Sequence, residues 1–223
     1  MKILNLFNLF IFKIYFDSIG AAAWFKPRRI EHYFFANLAF SLLLLATSNL
    51  LSTNNSIEQQ LMVLGTFATC NVLWLLTRCL FRKGKALSKA HYVLAGVIAV
   101  LILLSRSIDI FVLLQWLEQG TLFWLKRSFS EMLQLLSSGV LLLSFWEIIR
   151  SYSSSSKSVQ KQKWIIASTM LVSVLGTRVV VSSIPMTPEN SHLVFAVIRS
   201  LMASVMLIAT FIVIWLQYQN RAA

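Results

Sequence analysis

Seven apolar runs, separated by short polar stretches, organise the chain: 3–25, 33–51, 60–81, 92–110, 128–146, 164–184 and 193–218. Each approaches the ~20 residues that carry a helix across ~30 Å of hydrocarbon. The runs lack the short polar/apolar alternation of a membrane strand, and a helix satisfies all its backbone amides internally, so every run is predicted as a helix. The expected fold is an all-α polytopic membrane protein, a seven-helix transmembrane bundle occupying 1–223 as a single domain. So many apolar helices leave no length for a separate soluble unit.

The first run differs from the others. Met1-Lys2, an apolar stretch and Ala21-Ala22-Ala23 together imitate a cleavable signal peptide. Cleavage would leave Trp24 outside and put every later basic loop on the wrong face, so a retained helix is predicted. Lys13 and Asp17 interrupt this run at a spacing of four, which lets them pair on one helical face. The alternative is an interfacial helix lying on the membrane, with six true spans.

Composition agrees with the pattern. Of 223 residues, 57% are hydrophobic and only 13% charged, about half the charged share of ordinary soluble domains. Mean hydropathy is +0.73. The net charge of +12 could suggest nucleic acid, but it alternates from loop to loop instead of forming one basic surface. Lys26, Arg28 and Arg29 follow the first run; Arg78, Arg82, Lys83, Lys85 and Lys89 surround the end of the third; Arg150, Lys157, Lys161 and Lys163 follow the fifth; Arg221 follows the last. The intervening connections carry Glu58, Asp109, Glu118 and Glu189, with Arg106, Lys126 and Arg127 at the edges of the one after run four. The positive-inside rule then puts the N-terminus outside and the C-terminus in the cytoplasm. Tyr33, Tyr92, Tyr152, Tyr218, Trp24, Trp146, Trp164 and Trp215 fall at the inner ends, and Trp116 and Trp124 in an outer connection, as an aromatic belt requires. The basic loops therefore read as orientation signals in contact with the lipid bilayer, and no direct nucleic-acid binding is expected.

Chemistry is sparse. Cys70 and Cys79 give no disulfide framework or metal spacing, and His32, His91 and His192 are divided between the two faces. The last run lacks the lysine that a rhodopsin-type photoreceptor uses to link retinal. No nucleotide-binding, hydrolase or metalloprotease pattern occurs, so neither a cofactor nor enzymatic activity is expected. Pro27, Pro185 and Pro188 all lie between runs, which argues against the broken helices of many transporters. "SYSSSSKSVQKQK", 151–163, reads as a flexible cytoplasmic loop, and Asn54-Asn55-Ser56 matches a glycosylation sequon.

The informative residues are the charges inside the runs. Arg178 interrupts "SVLGTRVVVSS"; Arg199 lies at a similar depth in the seventh run; Glu131 enters at the outer start of the fifth; Arg106 and Asp109 stand at the outer end of the fourth. Intramembrane charges cost ~2.5 to 3.5 kcal/mol each at a helix centre and generally face the bundle interior, so these five are expected to meet at the outer side. They form either a salt-bridge network or an outward-opening pocket with surplus positive charge, suited to a polar or anionic ligand. Arg178, Arg199 and Glu131 are expected to face one another. Small residues nearby, Ser173, Gly176 and Thr177 in run six and Ser200 and Ser204 in run seven, predict close packing of those two helices. The inner halves of the later helices, as in "VLLLSF" and "MLIATFIVIW", read as almost purely apolar.

Three stretches, "KPRRIEHYFFANLAFSLLLLATSNLL", "TCNVLWLLTRCLFRKGKALSKAHYVLAGVIAVLILL" and "LLSSGVLLLSFWEIIRSY", resemble the N-terminal seven-helix membrane domain of bacterial AraC-type transcriptional regulators. The shared features are a basic turn before helix two, an aromatic, Arg and Leu-Phe pattern closing helix three, and a Trp-containing end to helix five. The resemblance implies a sensory input domain whose cytoplasmic end leads to a helix-turn-helix output. The sequence runs only to Ala223, so that output is expected to be lost, to reside on another polypeptide, or to belong to a longer regulator of which this is a piece. The expected function is a sensory module that detects an outer-leaflet or periplasmic stimulus and passes it to a cytoplasmic protein partner. A small transporter or accessory subunit is the alternative, and an integral-membrane enzyme using Glu131 or Asp109 is a third class.

Overall fold

The computed structural model describes residues 13–20, 29–50, 69–82, 86–114, 123–150, 152–183 and 188–222. Among them are seven helices and no strand: α1 (13–20), α2 (Ile30–Leu50), α3 (Thr69–Phe81), α4 (Lys89–Leu113), α5 (Phe123–Ile149), α6 (Lys157–Ser183) and α7 (Pro188–Ala222). The sequon at Asn54, the connection charges Glu58 and Glu118, Trp116 and the alanines at 21–23 lie outside the described residues.

Two helix starts use the same local device. At α4, Ser88 takes an extended conformation and its N–H donates to Nδ1 of His91, 2.9 Å away. At α2 the Arg29 N–H donates to Nδ1 of His32 at 3.2 Å. Each imidazole satisfies a backbone donor that the helix cannot, as the acidic member of a capping box does. At α2 this requires a His32 ring without a proton on Nδ1. Burial holds the His32 imidazole below its ordinary value, opposed by Glu31 and assisted by Arg29.

Five helices close a ring: α2 packs on α3, α3 on α5, α5 on α6, α6 on α7, and α7 back on α2. The main core fills that ring with Phe35, Leu38 and Leu42 from α2, Leu76 from α3, Ile148 from α5, Ile166 from α6 and Leu207 and Val213 from α7. Tyr15 brings α1 into the same core, donating its hydroxyl to the Ser200 carbonyl at 3.2 Å and lying 3.1 Å from the Ser204 hydroxyl. The first run thus contributes a docked helical segment, on which Lys13 and Asp17 both stand exposed and, among the described residues, form no ion pair with each other. The α6/α7 contact is the most extensive in the bundle, as the small residues predict. Ser173 Oγ reaches the Met202 carbonyl at 3.5 Å, and a Cβ added at Gly176 would come 2.9 Å from the end of the Met202 side chain.

Helix α4 stands outside the ring, against the seam of α3 and α5, through a small second core of Trp74, Leu75, Ile98 and Val140. α4, α5 and α7 are each long and apolar enough to cross a membrane, over Lys89–Val112, Trp124–Ile149 and Ser200–Asn220. Only 6% of the α4 window is buried by protein. Val93, Val97, Val100 and Leu104 are among its exposed side chains, and a continuous apolar surface of that length marks contact with lipid or another apolar partner.

Candidate functional site

The two ends of the bundle are chemically unlike. One, here the basal end, gathers the starts of α2, α4 and α6 and the ends of α3, α5 and α7; the other is the apical end.

At the apical end α4 and α5 diverge and leave a cleft of about 600 Å³. Ile102, Ser105, Arg106 and Asp109 line it from α4, and Lys126, Ser130, Leu133, Gln134, Ser137 and Ser138 from α5. The spacing of three and four places each set on one helical face. Asp109, only 17% exposed, lies 2.5 Å from the Lys126 ammonium through Oδ1 and 3.6 Å from Arg106 Nη1 through Oδ2. One carboxylate therefore faces two half-exposed cations, which leaves a surplus positive charge on a wall that otherwise mixes hydroxyls and an amide with Ile102 and Leu133.

The sequence-predicted residues divide. Arg106 and Asp109 meet as expected, with Lys126 as the third member. Glu131 does not join them: it points away from the cleft, is 64% exposed, and accepts from Arg127 Nε at 3.0 Å, four residues back on its own helix. It holds neither α4 nor α6 because its helical register, one position past Ser130, turns it to the outer surface. Arg178 lies in α6 and Arg199 in α7, but their side chains, like those of Thr177 and His192, lie outside the described residues.

The basal end holds the buried charges. Arg78 of α3 makes an ion pair with Glu147 of α5, both almost wholly buried, and its Nε donates to the Ala86 carbonyl at 2.6 Å in the connection leading into α4. Arg82 flanks the same carboxylate at 3.9 Å. Lys163 of α6 is 1% exposed, donates to the Arg150 carbonyl at 2.7 Å and lies 5.9 Å from the Phe81 ring centroid. Burial pulls its ammonium below the ordinary lysine value, against the raising effect of Glu147. Gln217 of α7 caps the Leu80 carbonyl at 2.9 Å, and Asn220 reaches Ser158 at 3.0 Å. Helix C-termini leave carbonyls without intrahelical partners; here side chains from other helices take them. The expectation that these helix ends are almost purely apolar is corrected at this point. The quoted apolar segments stand, but Glu147 follows two residues after the first of them, and Arg78 and Lys163 are interior groups.

Sequence reading missed Glu147 as a site because its partner is 69 positions away. The available signal was its sign: an acid among Arg78, Arg82, Arg150 and Lys163 at the ends of apolar runs. Comparison of the chain with family models, with curated proteins and with solved structures finds no match.

Proposed function

We propose that the chain is a membrane-embedded sensory module, seven helices across a bacterial inner membrane, that takes a polar or anionic ligand in the apical α4/α5 cleft and passes the change to a cytoplasmic partner. Basic residues at the basal end, Arg82, Lys89, Arg150, Lys157 and Lys161, support a cytoplasmic basal face. The observation that carries the reading is the cleft itself, in which Asp109 occupies two cations that an incoming anion could take instead.

The attachment of α4 gives such competition a mechanical outcome. Toward the basal end α4 is fastened to α3 by Arg78 on the Ala86 carbonyl, by Trp74 and His91 with ring centroids 5.6 Å apart, and by Asn71 Nδ2 on the Ala95 carbonyl at 3.2 Å. Toward the apical end the Asp109–Lys126 pair ties it to α5. An anion on Arg106 and Lys126 releases that tie, and α4 swings about its basal fastening. Arg78 grips both the entry to α4 and Glu147 of α5, so the swing reaches the basal face at one residue. Ligand shifts the equilibrium only as far as it prefers the released state. The resemblance to AraC-type membrane domains points to the same class of function.

The test is a thermal-shift titration of the full chain in lipid nanodiscs with phosphate and with a short dicarboxylate. Saturable stabilisation that disappears in the folded Arg106→Ala/Lys126→Ala double variant supports the reading. Stabilisation that survives the double variant, or none with either anion, counts against it.

A further inference from the structure

The apical cleft is far larger than the anion its two cations can hold. Arg106 and Lys126 stand at its mouth, whereas its volume of about 600 Å³ matches sites that enclose whole organic ligands. From Lys126 one stripe of α5 runs inward through Ser130, Gln134 and Ser137, at spacings of four, four and three, over ~16 Å. Ser105 of α4 lines the opposite wall, and Ile102 and Leu133 supply the carbon between.

Serine and threonine within a helix commonly turn back onto their own backbone. Ser138, Ser144, Ser168, Thr169, Ser204 and Thr210 all donate to the carbonyl four residues earlier. The hydroxyls of Ser105, Ser130 and Ser137 and the amide of Gln134 do not: among the described residues these side chains form no hydrogen bond. Lipid tails offer such groups nothing, so a cleft at membrane depth takes a polar occupant.

The order of the groups along the cleft specifies that occupant. Both cations of the lining stand at the mouth, so a second anionic group at the inner end would meet no counter-charge. An apolar tail would strand the amide and the hydroxyls. A chain of hydroxyls suits both conditions, since hydroxyls and amides each donate and accept, and its C–H faces suit Ile102 and Leu133. At the mouth the occupant must replace Asp109 on both cations. A carboxylate only matches the charge it displaces; a phosphate monoester brings about −1.5 to −2 and three acceptor oxygens.

We infer that the cleft takes a sugar or polyol monophosphate from the apical side, its phosphate on Arg106 and Lys126 and its hydroxyls along Ser105, Ser130, Gln134 and Ser137. The inference rests on the cleft being the anion site proposed above, and it adds the neutral part of the ligand. A phospholipid headgroup is a singly charged diester whose tails do not match the hydroxylated inner end.

Isothermal titration calorimetry of the full chain in phosphatidylcholine nanodiscs compares glucose 6-phosphate, inorganic phosphate, glucose and glycerophosphoglycerol, a soluble diester headgroup. The Kd for glucose 6-phosphate is expected about tenfold below that for inorganic phosphate, the worth of one or two added hydrogen bonds, with glucose and the diester weaker than the sugar phosphate. Gln134→Leu, and separately Ser130→Ala with Ser137→Ala, bring the ratio of the two Kd values toward one. Glu131→Ala, on a side chain that points away from the cleft, keeps it. Binding of inorganic phosphate that glucose 6-phosphate does not exceed leaves the anion site standing and overturns the inference. A tenfold ratio that survives both the Gln134 and the paired serine changes overturns it as well, as does a diester that binds as tightly as the sugar phosphate. Absence of binding by either phosphate removes the anion site itself, and the inference with it.

Discussion

At the basal end charges are buried and shared between helices, whereas at the apical end a largely buried carboxylate meets half-exposed cations at the border of a cleft. Arg78 and Glu147 pair inside the protein, and Arg78 also donates through Nε to a backbone carbonyl. Asp109, by contrast, sits between two cations that water also reaches. The difference teaches which charges a fold depends on. A buried pair has its desolvation already met by its partner, so losing either member strands the other. A half-exposed pair loses little when broken, because water substitutes. The first kind fixes an arrangement; the second can exchange partners, as a ligand-responsive site requires.

The largest effect is expected from Glu147→Ala, which leaves Arg78 charged and buried. Unfolding in bicelles should show a loss of ~3 to 5 kcal/mol, and a near-neutral result would erase the contrast between the ends. Tyr15→Phe removes only a hydroxyl, but one that joins α1 to α7 through Ser200 and Ser204. A loss of ~1 kcal/mol is expected by the same method. Asp109→Asn should change stability by no more than ~0.2 to 1 kcal/mol, while lowering the phosphate concentration needed for half-maximal thermal shift, because both cleft cations become free. Loss of phosphate response in this variant would contradict the competition.

A fourth expectation concerns pH. Neutral His32 accepts from the Arg29 N–H and its folded value lies below the ordinary imidazole value of ~6.5, so folding favours the neutral ring. Its contribution is complete above that ordinary value and is lost as pH falls through the lowered one. Melting temperature should therefore fall between neutral and mildly acidic pH, and His32→Gln should flatten the dependence. The smallest effect belongs to Arg127 and Glu131. Their exposed i, i+4 pair is worth ~0.3 to 0.5 kcal/mol, so Glu131→Ala should be close to silent in both stability and anion response.

The all-helical architecture was legible in the sequence because long apolar runs report where helices form, and three of these helices are long and apolar enough to cross a membrane. They report helix ends less well. The run at 128–146 belongs to a helix that begins at Phe123, so Lys126, read as the edge of a connection, lies on α5 and reaches Asp109. Likewise α6 begins at Lys157, which makes Lys163 a helical, interior residue and not a loop charge. Helices continue past an apolar run for as long as polar side chains find partners, and hydropathy is silent about that. The meeting of Arg106 and Asp109 was legible because depth alone marks a charge inside an apolar run. The Arg78–Glu147 pair was not, since pairing across α3 and α5 is a property of the closed ring, and Glu131 was misplaced because one step of register turns a side chain ~100° around a helix.

The central claim, that the Asp109–Lys126 tie closes the apical end of α4 while the basal end stays fixed, is tested most directly by distances between paired spin labels. With Cys70 and Cys79 replaced, one pair is placed at Phe111 and Trp124 near the cleft and another at Tyr92 and Trp146 near the basal fastening, all four positions being exposed. In Asp109→Asn the apical distance distribution should widen and shift outward while the basal distribution stays as it is in the unaltered chain. An unchanged apical distribution, or equal displacement at both ends, would contradict the account.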